Sequence, residues 1–400
     1  LTKSTNSAIF GFMIKTTELL KQLISFESIT PSDAGGLDFI ASLLKESGFA
    51  IYIKEFGKER VRSLYAVYTQ ASFELSPKEA INICFAGHID VVPPGGGWSS
   101  PPFIAKEEGG KIYGRGAVDM KGALACMIAS TLNFLEENPK INGNISFLIT
   151  SDEEGEAKYG TKPMLEWMES NGHKIDFAIV GEPTCDKEFG DIIKIGRRGS
   201  LNFKLRVIGS QGHVAYPTLA KNPNSAMVRI LHDLVDMKWD DGNEIFQPSN
   251  LEITSIDTGN PTTNLIPAES SAMINIRFNN QHKSQDIIQK VDEICAQYTK
   301  DYLLEGRVSA ELFLSQPSEL REIFAKVVHQ KTGVTPTFGT DGGTSDARFI
   351  QNYCPLLEFG LLNCTAHKID EHVKIGDLQK LYDVYYGFLN MVINECFPRA

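Results

Sequence analysis

No CxxC pair occurs among the seven cysteines (Cys84, Cys126, Cys185, Cys295, Cys354, Cys364, Cys396), and their number is odd. This argues against a disulfide framework and against a thiolate metal site, and it fits reduced thiols in a cytoplasmic protein. No apolar run approaches the ~20 residues of a membrane-spanning helix. Basic residues are in deficit: 39 Lys and Arg against 50 Asp and Glu give a formal charge of −11. That balance argues against nucleic acid and anionic membranes as partners. The early apolar run AIFGFMI lacks a strong basic segment before it and a small-residue cleavage site after it, so it does not read as a signal peptide. Residues 1–12 read instead as a tail outside the fold. There is no internal repeat and no low-complexity segment. The glycines of GRGAVDMKG are not followed by GK[ST], and HExxH is missing, which removes a phosphate loop and the helical zinc motif.

What is present is a soluble globular composition, 42% hydrophobic and 22% charged. Four hundred residues exceed one ordinary core, so two domains are expected, one of them inserted in the other. Up to about residue 197 the chain alternates helical patterns (IKTTELLKQLISF, GGLDFIASLLKESG, KGALACMIASTLNFLEEN) with short buried strands (INICFAGHID, NISFLIT, DFAIVGE). This predicts an α/β sandwich with ligands at the C-terminal ends of its strands. The rhythm then changes. SLNFKLRVIG, KNPNSAMVRILHDLVDMK, LEITSID, SAMINIRF, HKSQDIIQKVDEICAQY and RVSAELFL read β-α-β-β-α-β, a ferredoxin-like α+β arrangement. The expected division is a first domain over 13–197, an inserted domain over 198–311, and the rest of the first domain over 312–400.

The chemistry-bearing residues sit at ends of elements. His88 and Asp90 close the strand INICFAGHID, where an i, i+2 pair shares a face and a carboxylate can fix the tautomer of a ligating imidazole. Asp119 opens an apolar helix, Glu182 follows AIVG, and His367 follows LLEFG. Each alone reads equally as a cap or a solvated turn. Together, two histidines, one aspartate and three glutamates arrive at positions that an α/β sheet delivers to one rim. Gathered in a partly buried cleft, that many carboxylates repel unless cations join them. Two divalent cations nearly balance the set, and imidazole with carboxylate suits zinc. In TSDEEG, adjacent residues on extended chain face opposite ways, so one glutamate can ligate while the other serves as general base toward an activated water. Arg197, Arg198 and Arg277 stand out against the acidic background as candidate carboxylate holders, with a surface ion pair the alternative for Arg198.

HIDVVPPG, GRGAVDMKG, TSDEEG, GEPT and the late His367 together resemble the dizinc aminoacylase and carboxypeptidase family, in the same order from Met13 onward. The resemblance implies two Zn²⁺ per subunit, with Co²⁺ an option in the second site. It places His88 and Glu182 on one metal, Glu154 and His367 on the other, and Asp119 between. Glu153 is then the base and Asp90 orients His88, and the Asp119–Met120 peptide is implied to be cis. GRRGSLNFKLRVIGSQGHVAYPTLAKNP, TGNPTTNLIPAES, NIRF and FGTDGGTSDARFI resemble the members that cleave N-succinyl amides. On that resemblance Arg197, Ser200, Tyr216, Asn264, Arg277, Thr344 and Asn363 contact a small-molecule substrate. His213 is implied to cross a homodimer interface and stabilise the oxyanion in the partner's site, and closure of the inserted domain is implied to gate turnover. A related dizinc deacylase or peptidase, acetylornithine deacetylase-like, and a non-catalytic metal-binding homologue stay open. The carboxylate pair in TSDEEG speaks against the last, because binding needs no base.

Overall fold

The computed structural model describes residues 14–69 and 80–396, so the tail read for residues 1–12 lies outside the described residues. The described chain forms two units: one runs to Ile195 and resumes at Ser315–Phe338 and from Ser345, and the other holds Gly196–Leu314 and Gly339–Thr344.

The first unit is built on an eight-stranded mixed sheet among the described residues. Its order is Ala50–Phe56, Val61–Thr69, Asn144–Thr150, Asn82–His88, Phe177–Val180, Leu356–Glu358, Ile192–Lys194 and Thr337–Gly339. The central strands Asn144–Thr150, Asn82–His88, Phe177–Val180 and Leu356–Glu358 are mutually parallel. NISFLIT is buried at every position, as a strand covered on both faces must be. The helix Lys121–Glu137 is buried along Lys121–Leu135 and packs against Ile375–Leu389 and Thr16–Ile24. An apolar surface all round a helix leaves such an interior position as its stable one. Each fully buried Leu, Ile or Met of that helix adds about 1.5–3 kcal/mol relative to exposure. On the strands, register pairs His88 with Thr150 and Ala86 with Val180. The residues immediately following these strands therefore emerge on one rim.

The second unit has a four-stranded antiparallel sheet in the order Asn250–Asp257, Glu269–Phe278, Gly199–Ile208, Tyr302–Ala310. With the helices Pro223–Asp236 and Ser284–Tyr298, the main elements run β-α-β-β-α-β. Alternation of buried and exposed residues along LNFKLRVI gives one face to the core. The Asn222 side chain accepts from the Asn224 amide and Pro223 follows at the first helical position, so the Asn/Pro opening caps its helix.

Two boundaries differ from the sequence reading. The last long strand begins at Tyr302 and ends at Ala310: Gly306 sits opposite Phe203 and leaves its ring room, and the register shifts at Ser200/Leu201 near the strand's end. Phe313–Leu314 instead pairs with Gly196–Arg197, which carries both edges of the unit outward by two or three residues. Residues 339–344 also join this unit. The Thr340 hydroxyl donates to the Ile245 carbonyl, and Arg197 Nη1 donates to the Asp341 carbonyl at 3.4 Å.

Candidate metal centre

The rim of the first unit assembles the site. His88 is the last residue of its strand, Glu153 and Glu154 lie in the bends after Asn144–Thr150, and Glu182 lies two residues beyond Phe177–Val180. Asp119 precedes the helix Lys121–Glu137, and the Asp119–Met120 peptide is cis, as the resemblance implied. Met120 anchors this corner: its Sδ accepts from the His88 amide at 3.4 Å, and its side chain fills the space beside Gly87 and Gly181. A Cβ at Gly87 would lie 2.2 Å from Met120 Cε and one at Gly181 2.6 Å, so a side chain at either position would displace the end of Met120. His367 lies past the short turn Asn363–Thr365 with φ of 60°.

Asp119 stands between the imidazoles. Its Oδ1 is 3.3 Å from His88 Nε2 and its Oδ2 is 3.3 Å from His367 Nε2. Glu182 Oε1 lies 3.7 Å from His88 Nε2, and Glu154 Oε1 lies 2.9 Å from His367 Nε2. Glu153 reaches the same centre, with Oε2 3.9 Å from His88 Nε2. The donors of His88, Asp119 and Glu154 lie within 4.8 Å of one another, as do those of His88, Glu153 and Glu182. The structure thus brings His88, Asp119, Glu153, Glu154, Glu182 and His367 together.

Asp90 holds the centre from behind in a way the sequence did not indicate. His88 Nδ1 lies 2.9 Å from the main-chain carbonyl of Asp90 and 3.6 Å from its carboxylate. The carboxylate instead accepts from the amides of Glu153 (3.4 Å) and Glu154 (3.1 Å), tying the two glutamates to the histidine strand. Burial, partly offset by His88, pushes the Asp90 carboxyl up to about 6. Burial and then the Glu182 carboxylate raise Glu153 well above the usual range. Hydrogen bonding to Asp119 and then Glu154 pushes His367 up to about 10.

A divalent metal fits these residues. His88 Nε2 and Asp119 Oδ1 are buried, face each other, and have no hydrogen-bond partner of good geometry. Buried polar atoms are rarely left so, and two ligand atoms aimed at one cation adopt this relationship. Imidazole nitrogens with carboxylate oxygens, and no thiolate, are donors for zinc-like ions.

The remaining candidates are spread over both units. Arg197, Ser200, Tyr216, Asn264, Arg277, Thr344 and His213 belong to the second unit, and Asn363 belongs to the first. Ser200 and Arg277 are direct cross-strand partners. Arg277 Nη1 is buried without a hydrogen-bond partner, and burial, then the neighbouring Arg198 charge, lower the affinity of this guanidinium for its proton. Arg198 itself donates through Nη1 to the Pro248 carbonyl (2.7 Å) and Asn250 Oδ1 (2.9 Å), both within the unit. Arg197 is buried on the strand pair with Phe313. His213 pairs with Leu265 in a two-residue ladder, Asn264 accepts from the Val214 amide at 3.2 Å, and the Tyr216 ring lies 5.7 Å from His213. Thr344 is half-buried, and Asn363 and His213 are exposed. The sequence reading missed Arg115 and Glu371: Glu371 supports the loop of Asp119 by accepting from Arg115 and the Gly116, Val118 and Asp119 amides, 252 to 256 residues away, which leaves no local signal.

A mixed α/β sheet whose strand ends converge two imidazoles and several carboxylates defines the class of metal-dependent hydrolases. Residues 84–391 match the peptidase family M20/M25/M40, and the chain belongs to that family. It is 54% identical over 386 residues to the succinyl-diaminopimelate desuccinylase of Rickettsia bellii (strain OSU 85-389), covering 94% of this chain and 97% of that one. The counterpart from Rickettsia rickettsii (strain Sheila Smith) is 53% identical over 94% of this chain and 99% of its own length. In fold, the chain is similar to an M20 family metallo-carboxypeptidase from Sulfolobus solfataricus, with a TM-score of 0.77 and 17% identity over 96% of this chain and 100% of that one. A Bacillus subtilis protein described as a dinuclear metal binding peptidase of the same family gives 0.68 at 14% identity, covering 94% and 97%.

Proposed function

We propose that this chain hydrolyses the succinyl amide of N-succinyl-LL-2,6-diaminopimelate, releasing succinate and LL-2,6-diaminopimelate, a lysine and peptidoglycan precursor. The observation that carries the hydrolytic part is Asp119 set between His88 and His367 with Glu153 beside them. The substrate is supported by the names of the relatives and by the buried, unpartnered Nη1 of Arg277.

His88 and Glu182 would hold one zinc ion, and Glu154 and His367 a second zinc or a cobalt ion, with Asp119 shared. When bound, such a pair acidifies water and polarises an amide carbonyl. Glu153 takes a proton from the attacking water at its carboxylate and delivers it to the departing amine nitrogen, so the carbon–nitrogen bond breaks without an amide anion leaving. Arg197 and Arg277 bind substrate carboxylates, a role for which a planar guanidinium fork is suited. Ser200, Tyr216, Asn264, Thr344 and Asn363 line the substrate.

The chain acts as a homodimer in this reading, with His213 of one subunit donating to the oxyanion in the other subunit's site. In support, His213 is exposed, and the strand Asn250–Asp257 is an edge of its sheet. Beside that edge, a groove of about 550 Å³ lined by Val228, Val235 and Ile256 leaves apolar surface open. Six free cysteines among the described residues, five of them buried, support a cytoplasmic setting. No helix among the described residues is long and apolar enough to cross a membrane. The direct test is turnover of N-succinyl-LL-2,6-diaminopimelate against N-acetylornithine, with metal quantified per chain. Preference for the succinyl substrate is expected, and preference for the acetyl one would replace this assignment.

A further inference from the structure

Glu371 is 1% exposed, yet both of its carboxylate oxygens are filled. Oε1 accepts from the amides of Val118 (2.8 Å) and Asp119 (3.1 Å), and Oε2 accepts from the Gly116 amide (2.9 Å) and Arg115 Nη1 (2.8 Å). Arg115 is equally buried, and both of its terminal nitrogens also reach main chain. Nη1 reaches the Lys368 carbonyl and Nη2 the Pro94 carbonyl, each at 3.3 Å, while the fork lies 5.1 Å over the Trp98 ring. Next to this pair, the amide and hydroxyl of Ser99 both donate to Asp370 Oδ1 at 2.9 Å, and the Gly114 amide donates to the Glu371 carbonyl at 2.9 Å. Three stretches of chain are knitted at one point: 94–99, 114–119 and 368–371.

The second stretch ends in Asp119 and the third begins one residue after His367. A carboxylate accepting three successive-loop amides fixes main chain rather than side chain. It thereby sets where the Cα of Asp119 sits and in which direction its own carboxylate leaves. Through Lys368, Arg115 ties the main chain beside His367 to the same point. We propose that the Glu371–Arg115 pair is a positioning device for the metal site formed by Asp119, Glu154 and His367, holding Asp119 and His367 at working separation before any cation arrives. Neither side chain ligates or touches substrate in this role. Support of this kind around a ligand set typically changes metal affinity by about 10–100-fold when removed.

The inference rests on the metal-centre reading above, and the experiment separates the two. Glu371→Gln is the informative change, because an amide nitrogen then faces the Gly116 and Arg115 donors. Zn²⁺ titration by calorimetry of the metal-free full chain should give two sites in the wild type. Glu371→Gln should weaken the site lost in His367→Ala about 10–100-fold and the other site less, because the two share Asp119. Excess Zn²⁺ should restore much of its kcat, which a merely stabilising residue would not predict. Hydrogen exchange of the metal-free wild type gives a readout independent of variant folding: peptides over 114–119 should already be protected. A wild type with fewer than two sites refutes the centre itself. Two wild-type-like affinities in Glu371→Gln, or unprotected amides in the metal-free wild type, refute the positioning role alone.

Discussion

Glu154 and His367 meet across 213 residues of chain, Oε1 to Nε2 at 2.9 Å, and the same nitrogen lies 3.3 Å from Asp119. His88 repeats the relationship with Glu182 and the other oxygen of Asp119. One aspartate therefore serves two imidazole–carboxylate pairs, an arrangement that favours two cations sharing a ligand over one cation with five.

Metal removal is the first consequence. The protein should carry two divalent cations per chain by elemental analysis. Stripping them with a chelator should abolish turnover and lower the thermal midpoint, and Zn²⁺ should reverse both. At a free metal concentration of 100 times Kd, each site adds about 2.7 kcal/mol to folding stability. A stripped chain with unchanged melting and activity would leave the centre without a role.

Glu153→Ala should separate binding from chemistry. Glu154, Glu182 and both histidines remain, so metal content should stay at the wild-type level. Loss of the proton carrier should lower kcat by roughly 10²–10⁴-fold. If metal is lost along with activity, Glu153 is a ligand and the base lies elsewhere.

The parts of this site legible in the sequence are those whose neighbours in sequence are also their neighbours in space. Central parallel strands are buried on both faces, so NISFLIT and INICFAGH read as apolar runs, and the acids and imidazoles at their ends stand out. The edge strand Ala50–Phe56 has no fully buried position, and Lys54 and Glu55 interrupt its apolar residues, so it shows no such run. Asp90 was legible as a partner of His88, but its carboxylate holds the amides of Glu153 and Glu154, a choice made only when two strands lie side by side. Glu371 was invisible for the same reason: it accepts from three amides and from the Arg115 guanidinium, all more than 250 residues away.

Arg277 should determine acyl-group preference. Its Nη1 is buried and unpartnered, so a substrate carboxylate there would satisfy a donor that is otherwise costly. Charge-assisted hydrogen bonds contribute about 1.5–3 kcal/mol, so Arg277→Leu should lower kcat/KM for the succinyl substrate by roughly 10–150-fold. Turnover of a neutral N-acetyl analogue should change far less. An equal loss on both substrates would show a structural rather than a recognition role.

Acid sensitivity of the second unit should trace to Asp240. Burial alone would raise its pKa, but hydrogen bonds from Ser249, Gly242 and Asn279 outweigh burial and hold it below the usual range. It also lies 3.0 Å from His282 Nε2. A folded-state value below the unfolded ~3.9 means the contribution is complete above that pH and is lost as pH falls through the folded value. In urea unfolding, Asp240→Asn should be less stable than wild type at pH 7, and the gap should narrow toward pH 3. A gap that is constant with pH would show that its ionisation is not what stabilises the loop.

His213 gives the sharpest test of the dimer, because its site and its chain are separable. His213→Ala alone should lower kcat by roughly 10²–10³-fold, the usual effect of removing one oxyanion donor. If the donor acts across subunits, a mixed dimer of Glu153→Ala and His213→Ala chains has one defective and one complete site. The complete site takes Glu153 from one chain and His213 from the other. Random exchange puts half the chains' dimers in the mixed form with one of two sites intact, so equal mixing of two inactive proteins should restore about a quarter of wild-type turnover. Adding Val228→Glu or Ile256→Glu to both chains should abolish the recovery by opposing association at the exposed apolar groove. No recovery on mixing chains shown by light scattering to exchange would place His213 in its own subunit's chemistry or outside it altogether.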